Sequence, residues 1–102
     1  MREINVTQFE QVANQSLVFI FVHTPFCGTC KLARKMLETL EEVNDNYHFL
    51  TLNGAIAPTL LQQLKIKSVP CLLIIANGQV EQKIYSFESV TNIYHHLQSF
   101  TR

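Results

Sequence analysis

Six consecutive apolar residues, Leu17-Val18-Phe19-Ile20-Phe21-Val22, leave this chain no polar face to turn toward water along that stretch. A half-buried strand alternates, whereas a continuous run rich in β-branched and aromatic side chains fits a strand covered on both faces, which predicts a central strand here. The same run is far too short to cross a bilayer. Cys27-Gly28-Thr29-Cys30 follows it closely. From Lys31 onward Leu32, Met36, Leu37, Leu40 and Val43 recur at helical spacing with Arg34, Lys35, Glu38, Glu41 and Glu42 between them. That pattern predicts a long amphipathic helix directly after the second cysteine, with Glu38, Glu41 and Glu42 on a solvated face. Two thiols therefore sit where a buried strand turns into a helix.

The remaining segments alternate in the same way. Thr7-Gln8-Phe9-Glu10 has the pattern in which a hydroxyl and a carboxylate each satisfy an orphan backbone donor, predicting a short first helix that begins at Thr7. Phe49 to Leu52 reads as a short strand, and Pro58 to Leu64 as a short helix with Pro at a favoured first position. Cys71 to Ala76 and Val80 to Tyr85 read as two strands, and Asn77-Gly78 between them makes them an antiparallel hairpin. Val90, Ile93, Tyr94, Leu97 and Phe100 mark the core face of a closing helix, with Ser86 or Ser89 available as its cap. The expectation is one α/β domain over residues 1–102, without linker, repeat or low-complexity segment; a chain of this length buries roughly two-thirds of its unfolded surface.

Eight basic residues balance eight acidic ones, so the chain has no electrostatic footprint for nucleic acid or an anionic membrane, and its partners are expected to be found by shape. The opening stretch MREINVTQFEQ has no apolar segment after its Arg, which gives the expectation of a cytoplasmic protein without a cleaved signal. Three cysteines are an odd number, and the pair at C-x-x-C spacing is too close to staple distant parts of a fold, so the pair reads as chemistry before architecture.

At a helix start the sulfur of Cys27 lies near unpaired amide donors and the positive end of the helix dipole, both of which favour a thiolate. The thiolate is the attacking species in disulfide exchange, and Cys30, one helical turn on, is placed to resolve the mixed disulfide. Cys27 is thus the expected nucleophile and Cys30 the resolving thiol. Two other readings of the pair stand beside this one: inert core thiols, or half of a zinc site completed by His23 and Cys71. Cys71, at the start of an apolar strand, reads as a small buried hydrophobe, with a third redox role left open by its place after Pro70. His23, four residues before Cys27, reads either as a packed histidine or as a proton handler. His48, His95 and His96 read as surface residues.

Pro25-Phe26-Cys27-Gly28-Thr29-Cys30-Lys31, then Ser68-Val69-Pro70, and finally Asn77-Gly78 resemble the thioredoxin family in order and spacing across essentially the whole chain. The resemblance implies the thioredoxin fold, a central five-stranded mixed sheet flanked by four helices, with Pro70 in the cis form beside the redox turn and the backbone edge at Val69 available to an extended substrate. It implies a thiol-disulfide oxidoreductase that reduces protein disulfides, is recharged by a reductase or a low-molecular-weight thiol, works as a monomer and needs no cofactor or metal beyond its own disulfide. Phe26, Gly28 and Thr29 fill the active-site turn. The chain departs from the family pattern in having Phe26 where Trp is usual and Thr29 where Pro is usual. It also has Phe21 where the family buries an acid and Thr51 where that acid's Lys neighbour stands. A glutaredoxin-like enzyme acting on small-molecule mixed disulfides and a binding module without turnover are the alternatives. The residues after Pro70 lack the Gly-Gly and acidic pattern by which glutaredoxins hold glutathione.

Overall fold

The apolar run becomes β2, Leu17–His23, the middle strand of a five-stranded sheet in the computed structural model, which describes residues 1–101. The order is β1 (Arg2–Ile4), β3 (Phe49–Asn53), β2, β4 (Cys71–Ala76) and β5 (Gln79–Ile84). Parallel pairing joins β1 to β3 and β3 to β2; antiparallel pairing joins β2 to β4 and β4 to β5. The helices are α1 (Val6–Val12), α2 (Gly28–Val43), α3 (Pro58–Gln63) and α4 (Val90–Gln98), with a 3-10 turn at Gly54–Ile56. This is the five-stranded mixed sheet with four helices that the resemblance implies.

Alternation along β2 divides the core into two layers. Phe19 and Phe21 pack with Cys30, Leu37, Phe49 and Ile93 under α2 and α4. Val18, Ile20 and Val22 pack on the other face with Phe9, Leu60 and Cys71, under α1 and α3. Both layers are apolar, which is why the run shows no alternation.

Several boundaries differ from the sequence reading. The first helix begins at Val6 and its cap is Asn5, not Thr7. The Asn5 carboxamide oxygen accepts the Gln8 N–H at 2.8 Å and the Gln8 side chain accepts the Asn5 N–H at 2.9 Å. A reciprocal box therefore forms two residues earlier, and Asn outranks Thr as a cap. Strand β1 lay unread because three residues are too few to show a period. Helix α2 starts at Gly28 and takes Cys30 into its first turn. Its apolar stripe is narrower than expected: Leu32 and Val43 are exposed, while Ala33, Leu37 and Leu40 are buried. Glu41 is not simply solvated, because its carboxylate accepts the Phe49 N–H at 2.8 Å. Ser89 caps α4, accepting the Asn92 N–H at 3.0 Å, and Phe100 packs on the core beyond the end of the helix. The hairpin turn has positive φ at both Asn77 (53°) and Gly78 (82°), the conformation its dipeptide favours, and β5 begins at Gln79.

Candidate functional site

Strand β2 ends at His23, and four residues later the chain enters α2 with Cys27 as its N-cap. The Cys27 sulfur accepts the Cys30 N–H at 3.2 Å and lies 3.4 Å from the Thr29 hydroxyl. An N-cap normally uses an oxygen for this purpose; here the acceptor is the sulfur, at the positive end of a helix of sixteen residues. Cys27 and Cys30 form a disulfide with their Cα atoms 5.2 Å apart. Cys27 is part-exposed and Cys30 is buried, so an incoming partner meets the first sulfur before the second. Thr29, unlike Pro, adds a hydroxyl within reach of the Cys27 sulfur. A Cβ on Gly28 would meet nothing within 4 Å, so Gly28 keeps the approach to the disulfide bare rather than filling a packing need.

Phe26 stands in the left-handed region at φ 62° with its side chain fully solvent-exposed (102%). A bulky residue in that region is unfavourable by about 1–2 kcal/mol. The conformation holds the ring out in solvent next to Cys27 instead of folding it into the core. Across from the turn, Val69-Pro70 is cis. Pro70 shares with Thr29, Leu32, Tyr85 and Phe87 a groove of about 260 Å³. Leu32, one of the apolar positions at helical spacing, is exposed and part of the surface beside the disulfide.

A second cavity, of about 200 Å³, lies on the other side of the turn and is lined by Phe21, His23, Cys27, Cys30, Lys31 and Arg34 among others. His23 stacks on Phe21 with ring centroids 5.8 Å apart and planes within 14°. Its Nε2 lies 3.4 Å from Glu3 Oε1, an ion-pair distance without the alignment of a hydrogen bond. Burial holds the imidazole below its ordinary 6.5, reinforced by the Arg34 guanidinium and opposed by the Glu3 carboxylate. Glu3 and Arg34 escaped sequence reasoning. A recognised β1 would have supplied the signal for Glu3, since its alternation puts Glu3 opposite the buried Ile4. In the sequence Arg34 shows only as one of the charges between apolar helix positions.

Cys71 is fully buried (0%) and belongs to the layer under α1 and α3, the face of the sheet opposite Cys30. The structure therefore does not bring Cys71 to the disulfide. The zinc set of Cys27, Cys30, His23 and Cys71 does not converge, and no group of three His, Cys, Asp or Glu side chains is arranged to hold a metal among the described residues. Burial pushes the Cys71 thiol up from 9.0 to about 11, with Tyr85 and Lys83 acting weakly in the opposite sense. Between pH 9 and pH 11 the unfolded chain has lost a proton that the folded chain retains, so raising the pH favours unfolding. Stability should fall across that window by up to about 1.4 kcal/mol per pH unit through this group. Denaturant unfolding of the unaltered chain and Cys71→Ala at several pH values checks this: the variant, destabilised by about 1 kcal/mol at pH 7 through lost packing, should close the gap as the pH rises. A constant gap would refute the assignment.

Comparison with known proteins bears on the family and the fold. The thioredoxin family model matches residues 1–99. A thioredoxin-like protein of Bacillus subtilis (strain 168), YusE, is 33% identical over 94 residues, covering 92% of this chain and 88% of that protein. The chloroplastic M-type thioredoxin of Spinacia oleracea is 28% identical over 87 residues, 82% of this chain but 48% of that longer protein. Among solved structures, thioredoxin from Malassezia sympodialis superposes with a TM-score of 0.86 at 19% identity, over 100% of this chain and 91% of that one. The oxidised mitochondrial thioredoxin 3 of Saccharomyces cerevisiae gives 0.82 at 19% identity, over 97% and 94%. At such identities the structural likeness establishes the fold. No helix among the described residues is long and apolar enough to cross a membrane.

Proposed function

The chain belongs to the thioredoxin family, and from that premise we propose that it is a thiol-disulfide oxidoreductase that reduces protein disulfides through Cys27 and Cys30. The observation that carries this reading is the sulfur N-cap: the Cys30 N–H points at the Cys27 sulfur at 3.2 Å, from the start of α2. An anion at that place is stabilised by the amide and by the helix dipole, and a thiolate is the nucleophile of disulfide exchange. Cys27 as thiolate attacks one sulfur of a substrate disulfide, forming a mixed disulfide and releasing the first substrate thiolate, which takes a proton. Cys30 then gives up its proton and attacks the Cys27 sulfur. The Cys27–Cys30 bond forms as the bond to substrate breaks, and the second thiolate leaves. The substrate gains two electrons and the protein dithiol loses them.

The groove between Pro70 and Thr29 supports the docking part of the proposal, in which an extended substrate pairs with the backbone edge at Val69 and rests against Pro70. Phe26, fully exposed in the turn next to Cys27, contributes an apolar contact. A reductase or a low-molecular-weight thiol restores the dithiol, and residues 1–102 work as one monomeric domain. The compartment we assign is the cytoplasm, where thiols such as Cys71 remain reduced.

Dithiol-driven reduction of insulin tests the reading. The unaltered chain should accelerate precipitation of the insulin B chain in proportion to its concentration. Replacement of insulin by a glutathione mixed disulfide should give a much lower rate. No acceleration above the dithiol alone would leave a binding module without turnover.

A further inference from the structure

Resolution requires that Cys30, a buried thiol, lose a proton before it attacks. Phe21 lies on the same sheet face as Cys30 and has no group to accept it; its neighbours in register, Thr51 on β3 and Leu72 on β4, have none either. The cavity beside the disulfide does contain a base. His23 lines it together with Cys27 and Cys30, and His23 Nε2 is a buried side-chain atom without a hydrogen-bond partner among the described residues. We infer that the proton of Cys30 passes through this cavity to His23, and that Glu3 on β1 holds the imidazolium so formed.

This inference rests on the oxidoreductase reading and deepens it. A cavity of about 200 Å³ has room for a bridging water, so transfer needs no direct contact between thiol and ring. Nε2 lies 3.4 Å from Glu3 Oε1. The carboxylate favours the neutral tautomer with its N–H on Nε2, which leaves Nδ1 as the basic nitrogen; when Nδ1 takes the second proton the Glu3 contact becomes an ion pair. The imidazolium is thus held by Glu3, whose side chain is 63% exposed. The charged and titratable groups around the ring are Glu3 from β1, Arg34 and Lys31 from α2, and the two cysteines. On β3 the partner in register is Asn53, which carries no charge. Arg34 and burial keep the imidazole unprotonated near neutrality, as a base requires, and Glu3 limits how far they do so. Glu3 and Arg34 are positioning residues that act through His23.

In the balanced step, Cys30–SH transfers its proton to neutral His23. The Cys30 thiolate attacks the Cys27 sulfur, the Cys27–Cys30 bond forms, and the departing substrate thiolate is free to take the proton back from the imidazolium. No outside oxidant or reductant enters beyond the substrate disulfide itself.

The test uses the reduced full chain and the chromogenic disulfide of nitrothiobenzoate, in which attack by Cys27 releases one coloured thiolate and resolution by Cys30 the second. Stopped-flow absorbance separates the two. His23→Ala and His23→Gln should slow the second release about a hundredfold and leave the first within about twofold, with free imidazole restoring part of the loss in His23→Ala. The pH midpoint of the second release should move down in Glu3→Gln, which loses the charge favouring the imidazolium, and up in Arg34→Gln. An unchanged second release in both His23 variants, or an equal loss in both steps that imidazole does not answer, would overturn the inference while leaving the enzyme reading intact. If the unaltered chain gives no second release and reduces no insulin, the oxidoreductase reading fails, and the inference falls with it.

Discussion

Cys27→Ser is expected to abolish disulfide exchange, while Cys30→Ser is expected to leave the attack intact and to accumulate a mixed disulfide with the substrate. The asymmetry comes from the two positions in α2. Cys27 caps the helix, part-exposed, and its sulfur takes the Cys30 N–H; Cys30 sits inside the first turn, buried. A serine at the cap preserves the hydrogen bond but replaces a thiolate by a hydroxyl that stays protonated. The rate should fall by about three orders of magnitude or more, the scale on which loss of a catalytic nucleophile acts. A serine at the second position leaves the first attack its nucleophile and its donor, because the donor is the backbone N–H. The step that fails is release. Mass spectrometry of each variant after mixing with insulin should show the adduct on Cys30→Ser and none on Cys27→Ser. Equal trapping by both would mean that either sulfur can attack and that the cap does not choose between them.

The fold and the place of the turn were legible in the sequence for a definite reason. The long apolar runs of β2 and β4 and the Asn77-Gly78 turn are read by composition alone, and they fix the central strand, the last hairpin and therefore the place of the turn between β2 and α2. What escaped depended on interactions between distant segments. Glu3 meets His23 only because β1 adds to the edge of β3, and three residues have no period by which to announce a strand. Leu32 has the spacing of a core residue, but the surface above it is the groove beside Pro70 and not another element. Cys71 follows Pro70 directly in sequence, yet β4 alternation sends its side chain to the far face. Glu41 carries the charge of a surface residue and nonetheless closes the Phe49 amide. Spacing along one segment predicted element type well and predicted partners across elements poorly.

The same distinction governs the second large effect, expected when Phe21→Asp restores the acid that the family usually places in the central strand. In this chain Phe21 is fully buried (0%), stacked on His23 and set edge-on to Phe87 with centroids 6.0 Å apart. Loss of a buried Phe ring alone costs about 3–5 kcal/mol. The new carboxylate would face Thr51 and Leu72 across the strands, with Lys31 and Arg34 further along the cavity that Phe21 lines. A charge placed at a site with no exposure carries a desolvation penalty of its own, relieved if the group stays protonated. The variant should therefore lose about 5 kcal/mol or more near neutral pH, comparable with the whole stability of an ordinary domain. Because the folded state raises the affinity of that carboxyl for its proton, the loss should grow as the pH climbs above about 4, the value in the unfolded chain. Phe21→Leu, which keeps the site apolar, should cost less than the loss of about 3–5 kcal/mol for removing the ring altogether and show no such pH dependence. Denaturant unfolding of both variants at pH 4.5 and pH 7.5 measures the difference. If Phe21→Asp unfolds within about 1 kcal/mol of the unaltered chain at the higher pH, the core accommodates an acid there after all.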